Sequence, residues 1–98
     1  MLNKEKILKL LKIEKKYLRQ KGVTEIGLFG SYSQNTQHKE SDIDLLVDFE
    51  PKHETFDNLM AVHEILENTF KNYKVEIVTK NGLSKYIGSY ILKETIYA

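Results

Sequence analysis

The sequence predicts a small α/β domain in which a mixed β-sheet of three to four strands is covered by helices. Segments with apolar residues at helical spacing alternate with short apolar runs of strand length, in the order helix, strand, short helix, strand, helix, strand, helix. The chain has 98 residues, which suits one domain with a modest core. We therefore expect residues 1–98 to form a single domain.

Composition and charge narrow the functional classes. The net charge is +1 and cysteine is absent, so we expect no direct DNA binding, no disulfide and no thiolate metal site. No apolar run reaches membrane-spanning length, and the start of the chain lacks the core of a signal peptide. We therefore expect a soluble cytoplasmic protein. Charge is unevenly distributed, because residues 1–21 hold eight Lys or Arg and two Glu.

The first predicted element is a helix over residues 3–20. Asn3 is a suitable N-cap and Gly22 a suitable stop signal. Its apolar stripe comprises Ile7, Leu10, Leu11, Tyr17 and Leu18. Basic side chains cover the other faces. A solvated surface is the simpler interpretation of these charges, and a docking surface for an acidic partner or a polynucleotide is the alternative.

Two strands follow, joined by a polar connection. The first strand covers residues 24–29 and ends at a Gly30-Ser31 turn, after which we expect a short helix over residues 31–36. The second strand covers residues 42–49. Its run Leu45-Leu46-Val47 indicates a strand that is buried on both faces.

The second half of the chain predicts a helix over residues 55–70, a strand over residues 73–79 and a helix over residues 83–97, with a turn at Asn81-Gly82. The buried stripe of the 55–70 helix would comprise Phe56, Leu59, Met60, Val62, Leu66 and Phe70. The apolar residues of the last helix are Leu83, Tyr86, Ile87, Tyr90, Ile91 and Ile96. We expect the edges of the sheet to be open to a partner.

Three acids are candidates for a catalytic, metal-binding cluster. Asp42 and Asp44 are two residues apart, so a strand would place both carboxylates on one face, where like charges repel. A divalent cation would remove this repulsion, and oxygen ligands suit magnesium. Glu76 lies between apolar residues of the third strand and would complete a triad. The alternatives are a loop-closing Asp42 with a solvent-facing Asp44, and a surface Glu76 on an edge strand.

The Gly30-Ser31 turn is the complementary candidate for phosphate binding. Backbone N–H groups at the start of a helix bind phosphate, glycine permits a close approach, and Ser31 adds a hydroxyl. A Gly-Ser pair after a strand is also an ordinary turn. Its combination with an Asp-x-Asp pattern about a dozen residues later is much more specific.

Gly30-Ser31, together with the segment Ser41-Asp42-Ile43-Asp44-Leu45-Leu46-Val47, resembles the signature of the nucleotidyltransferase superfamily related to DNA polymerase beta. The chain length is typical of its minimal branch, the MNT domains, and the resemblance extends over nearly the whole chain. It implies the polymerase-beta-like fold and a nucleotidyl transfer that uses ATP and two Mg²⁺ ions. The resemblance assigns metal binding and catalysis to Asp42, Asp44 and Glu76, and nucleotide binding to Gly30, Ser31 and Gln34.

The resemblance also implies a partner. Many MNT domains are antitoxins that transfer AMP to a tyrosine of a cognate HEPN-domain ribonuclease toxin. The sequence leaves open whether the chain is a homodimer or part of a hetero-oligomer. A transferase acting on small molecules or on RNA is disfavoured, because such relatives carry a further substrate-binding domain.

The turn departs from the family pattern Gly-Ser-x-Ala-Arg-Gly. Gln34 replaces the arginine, and Asn35 replaces the second glycine. Glutamine lacks the charge and the fork with which arginine binds phosphate, whereas asparagine tolerates a left-handed conformation. An alternative function is therefore a catalytically weak binding module that neutralises its HEPN partner by occlusion. The three clustered acids argue against that alternative.

Overall fold

The computed structural model describes residues 2–98, which form a mixed four-stranded sheet with helices packed against it. The strands are β1 (Val23–Phe29), β2 (Ile43–Phe49), β3 (Val75–Thr79) and β4 (Ile96–Tyr97), and the helices are α1 (Lys4–Gln20), α2 (Ser31–Gln34), α3 (Phe56–Thr69) and α4 (Gly88–Glu94). Short 3₁₀ turns occupy Pro51–His53 and Lys80–Gly82. The predicted class of a small mixed sheet is confirmed.

The order of the strands in the sheet is β3-β2-β1-β4. β1 is antiparallel to both β2 and β4, whereas β2 is parallel to β3. The core lies around the two central strands, and Leu45, Leu46 and Val47 of β2 are all buried. The prediction that this strand is buried on both faces is therefore confirmed.

Helix α1 begins and ends as its sequence predicts. The Asn3 side chain accepts a hydrogen bond from the Lys6 N–H at 2.9 Å, and Gly22 follows the helix with φ of +88°. Three residues of the predicted apolar stripe are buried, namely Ile7, Leu11 and Leu18. Tyr17 was expected in that stripe, but it is exposed on the outer side of the helix.

Helix α3 begins after Thr55, whose hydroxyl accepts a hydrogen bond from the Asn58 N–H at 3.2 Å. Val62, Leu66 and the following Phe70 are buried, as predicted. Phe56 and Met60 are exposed, and the prediction was wrong for both. Phe56 is the first residue of the helix, where a side chain can extend beyond the layer that covers the sheet.

The predicted helix over residues 83–97 was wrong in its extent. Helix α4 covers only Gly88–Glu94, and Thr95 adopts an extended ψ of 132°. The chain then forms β4, in which Ile96 and Tyr97 pair with Leu28 and Gly27 of β1. The Ala98 N–H continues this pairing with a hydrogen bond to the Ile26 carbonyl at 2.9 Å. Pairing of β4 with β1 satisfies backbone N–H and C=O groups of β1 that would stay unpaired if the helix continued.

The start of α4 and the residues just before it also differ from their predicted packing. Tyr86, Ile87 and Tyr90 were expected to be apolar packing residues, but Tyr86 is 87% and Tyr90 76% exposed, and Ile87 is exposed as well. β4 pairs with β1, so the edge strands of the sheet are β3 and β4. That these edges are open to a partner stays a prediction. Within residues 2–98, no helix combines the length and the apolar character needed to cross a membrane.

Candidate active site

The candidate site begins at the sharp turn between β1 and α2. Gly30 has φ of +76° and ψ of −155°, a conformation accessible almost exclusively to glycine. A Cβ atom at this position would also collide with the Asp44 carboxylate. The Gly30 carbonyl accepts hydrogen bonds from the Ser33 hydroxyl at 2.7 Å and from the Ser33 and Gln34 N–H groups at 3.1 and 3.2 Å. Gly30 is therefore required both for the turn and for its contact with Asp44.

Asp44 is the centre of a group of carboxylates. It faces Glu76 across the parallel β2–β3 pair, in direct register, and Phe29 across the antiparallel β1–β2 pair. Burial raises the pKa of Asp44, and the negative charges of Glu76, Asp42 and Glu94 raise it further, to about 6. The predicted acids are therefore brought together: all three belong to one electrostatically coupled group.

Asp42 lies just outside β2, because the strand begins at Ile43 and not at residue 42 as predicted. The Ile43 N–H starts the pairing with a hydrogen bond to the Lys74 carbonyl at 2.9 Å. The Lys74 ammonium is 4.0 Å from Asp42 Oδ2, at an exposed position where such a pair contributes little. Asp48, on the same strand further from the site, is 3.9 Å from the Lys80 ammonium.

Glu94 is a fourth acid of the site that was not predicted from the sequence. One of its carboxylate oxygens accepts a hydrogen bond from the Gly30 N–H at 3.0 Å, so the last residue of α4 holds the turn. A signal was present, because an acid in the last turn of a helix is disfavoured by the helix dipole. The contact of Glu94 with Gly30 was still not predictable from the helical pattern, because it depends on α4 ending at Glu94 and on the pairing of β4 with β1.

The predicted helix over residues 31–36 is shorter in the structure, because α2 ends at Gln34. Asn35 has φ of +58°, in the left-handed region, as expected for a replacement of glycine. Gln34 is exposed, and its amide donates a hydrogen bond to the Ser33 hydroxyl at 3.2 Å. Ser31 is the first residue of α2, and its carbonyl accepts the Thr36 N–H at 3.0 Å. Ser31 and Gln34 are therefore both placed beside Gly30.

The donor chemistry of the site fits a hard divalent cation. Its acids offer oxygen atoms alone, and the repulsion that raises the pKa of Asp44 is the repulsion that a cation would relieve. Between residues 2 and 98, no three Asp, Glu or His side chains stand in a ready-made metal-binding arrangement. Metal binding by Asp42, Asp44 and Glu76 would therefore require their side chains to rotate toward one another.

Comparison with known proteins identifies the family. Residues 9–98 match the family described as nucleotidyltransferase domain. The chain is 38% identical over 98 residues to the protein adenylyltransferase MntA of Thermococcus cleftensis. The alignment covers 99% of this chain and 97% of that protein. The chain therefore belongs to the nucleotidyltransferase domain family. It is an enzyme of that class, and the similarity to MntA extends over nearly the whole of both chains.

Solved structures support the same assignment. One, provisionally described as a minimal nucleotidyltransferase, has a TM-score of 0.82 and 25% identity, with 97% of this chain and 95% of that chain covered. Another is a toxin–antitoxin complex with AMP-PNP, at a TM-score of 0.65 and 31% identity, covering 98% of this chain and 72% of that chain. A mutant of the toxin–antitoxin complex MntA-HpeT is also similar, with a TM-score of 0.64 and 30% identity, covering 100% of this chain and 72% of that chain. The chain is thus similar to chains of toxin–antitoxin complexes as well as to a minimal nucleotidyltransferase.

Proposed function

We propose that this chain is a Mg²⁺-dependent protein adenylyltransferase that transfers AMP from ATP to a tyrosine of a HEPN-domain ribonuclease toxin. It would act in the cytoplasm as an antitoxin, as a single domain without direct DNA binding. The observation that supports this proposal most strongly is the group of carboxylates around Asp44. These acids raise the pKa of Asp44, whose carboxylate lies against the Gly30 turn. Similarity to the protein adenylyltransferase MntA supports a protein acceptor, and similarity to a toxin–antitoxin complex with AMP-PNP supports a nucleotide substrate and a toxin partner.

The chemistry is a substitution at the α-phosphorus of ATP. The bond from the tyrosine oxygen to this phosphorus forms, the bond to the bridging oxygen of the β-phosphate breaks, and pyrophosphate leaves. The Ser31 hydroxyl and the backbone amides of Ser31 and Tyr32, which come before the amides that donate to the Gly30 carbonyl, would bind the triphosphate. Glu76 is exposed at the register position beside Asp44, where it can accept the proton of the tyrosine hydroxyl.

Asp42, Asp44 and Glu76 would hold two Mg²⁺ ions. When bound, these ions would neutralise phosphate charge and orient the triphosphate relative to the acceptor hydroxyl. Asp44 must lose its proton to serve as a ligand, and its pKa of about 6 permits this at neutral pH. At limiting Mg²⁺, activity should therefore fall as the pH drops toward this value, because protons then compete with the cation for Asp44.

A second function is neutralisation of the HEPN partner by occlusion, without group transfer. Two observations favour it as an alternative. Gln34 provides no charge at the position of the family arginine. The exposed side chains Tyr86, Ile87 and Tyr90 give the protein an apolar surface suited to binding another protein in a hetero-oligomer.

Intact-mass spectrometry of the purified HEPN partner, after incubation with this protein, ATP and Mg²⁺, tests the proposal. We expect mass increments of whole AMP units, and none with the Asp42→Asn/Asp44→Asn variant. The Asp48→Asn variant is the matched control, because it changes an acid of the same strand that is paired with Lys80. An inhibited partner of unchanged mass, in a stable complex, would replace the transferase proposal by occlusion.

A further inference from the structure

We propose that Lys93 binds the triphosphate of the nucleotide and supplies, from α4, the positive charge that the Gly30 turn lacks. This inference rests on the proposed function, because it assumes that a nucleoside triphosphate occupies the turn. It identifies one more nucleotide-binding residue, and it explains how the chain can function with a glutamine at position 34.

The charge balance of the site requires such a cation. Asp42, Asp44, Glu76 and Glu94 are all acidic, and they act together on the pKa of Asp44. The turn residues from Ser31 to Gln34 are uncharged at neutral pH. A triphosphate bound beside them would meet this negative charge, and a side-chain cation would offset part of the repulsion that remains after metal binding.

The geometry places Lys93 at this position. A shallow surface cavity of about 280 Å³ is lined by Gln34, Tyr90, Lys93 and Glu94. Glu94, the next residue along the chain, is fixed to the Gly30 N–H at 3.0 Å. The end of α4 is therefore held against the turn, and the long flexible stem of lysine can carry its ammonium to a phosphate there.

Lys93 is also free to bind an anion. It is exposed and has no salt-bridge partner within the part of the chain that the structure describes. Two other basic residues near the acids are less suited to this role, because one is paired with an acid and the other lies at a different cavity. Lys74 lies 4.0 Å from Asp42, whereas Lys39 lines a separate cavity with Tyr32 and Tyr73.

Calorimetric titration with Mg²⁺-ATP and with inorganic tripolyphosphate tests the proposal. Lys93→Ala should weaken the binding of both by about tenfold, as expected for the loss of one charge-assisted contact to phosphate. Binding of adenosine should change by less than about twofold, since adenosine carries no phosphate. Circular dichroism should show an unchanged fold, because the Lys93 side chain is exposed.

Two further variants make the test specific. Lys52→Ala removes the same charge from an exposed residue just beyond the far end of β2 and should leave ATP binding unchanged. Adding Gln34→Arg to Lys93→Ala should restore most of the lost affinity, because it returns a cation to the same cavity. Equal ATP affinity of Lys93→Ala and Lys52→Ala would overturn the proposal.

The outcomes separate this inference from the proposed function. If the wild-type protein binds ATP through Lys93 but adds no AMP to the HEPN partner, the assignment of Lys93 stands and the transferase proposal fails. If the wild-type protein binds neither ATP nor tripolyphosphate, the assignment of Lys93 is overturned.

Discussion

Replacing Asp44 by asparagine should stabilise the ligand-free protein while it abolishes AMP transfer. Asp44 has a pKa of about 6 in the folded protein, against an ordinary value of 3.8. At about 1.4 kcal/mol for each pH unit between these values, the ionised carboxylate destabilises the fold by about 3 kcal/mol above pH 6. Asp44 is partly accessible to solvent, so screening reduces this figure, and we expect a gain of about 1–2 kcal/mol for Asp44→Asn.

The gain should depend on pH in a defined direction. Between pH 3.8 and about 6, folded Asp44 keeps its proton and the unfolded chain loses it, so wild-type stability falls as the pH rises through this window. The stability of Asp44→Asn lacks this contribution. Its advantage should therefore be complete above pH 6 and should disappear toward pH 4.

Thermal unfolding of both proteins without metal, at pH 4.5 and pH 7.5, measures the effect. About 1 kcal/mol corresponds to a Tm change of about 4–8 °C for a domain of this size. Asp48→Asn is the matched control and should not raise the Tm, because Asp48 lies 3.9 Å from the Lys80 ammonium. A Tm of Asp44→Asn at pH 7.5 equal to or below that of the wild type would refute the reasoning.

Three further predictions concern the same site. Gly30→Ala should destabilise the fold by about 2–4 kcal/mol in denaturant unfolding, because the backbone conformation is strained for alanine and the new Cβ collides with Asp44; a loss below 1 kcal/mol would contradict this. Glu94→Gln should keep an acceptor for the Gly30 N–H but remove a negative charge, and so lower the pKa of Asp44. Carboxyl carbon NMR measures this pKa. An unchanged titration of Asp44 would show that Glu94 does not act on it. Mg²⁺ at 100 times its Kd should stabilise the wild type by about 2.7 kcal/mol, and an equal Tm rise in Asp44→Asn would exclude Asp44 as a ligand.

Short-range patterns were sufficient to predict most of the fold. The helix signals around Asn3 and Thr55 and the apolar run of β2 are local, so they can be read from neighbouring residues. The meeting of Asp44 and Glu76 was also predictable, since acids on neighbouring strands of one sheet can share a face. The helix signals depend on neighbouring residues alone, whereas the register of Asp44 with Glu76 is a contact between residues distant in the sequence.

The C-terminal segment was not predictable in the same way. Residues 83–97 have apolar residues at helical spacing, but their final conformation is decided by the free edge of β1. Gly27 lacks a Cβ that would collide with Thr95, so the end of the chain can approach β1 and form β4. This tertiary pairing ends α4 at Glu94 and brings its carboxylate to Gly30. Periodicity also does not distinguish buried aromatic residues from exposed ones, which is why Tyr86 and Tyr90 were misassigned.

The two candidate functions make opposite demands on the acidic group around Asp44. The total stability of a small domain is about 5–15 kcal/mol, so a destabilising contribution of 1–2 kcal/mol is a substantial fraction. An occluding module has no use for this repulsion, and its neutralisation of the partner should survive Asp44→Asn with a gain in stability. A transferase requires the ionised acid for metal binding, and should lose its neutralising effect in the same variant. Measuring the residual ribonuclease activity of the partner with this stabilised variant therefore distinguishes the functions without any loss of folding to confuse the result.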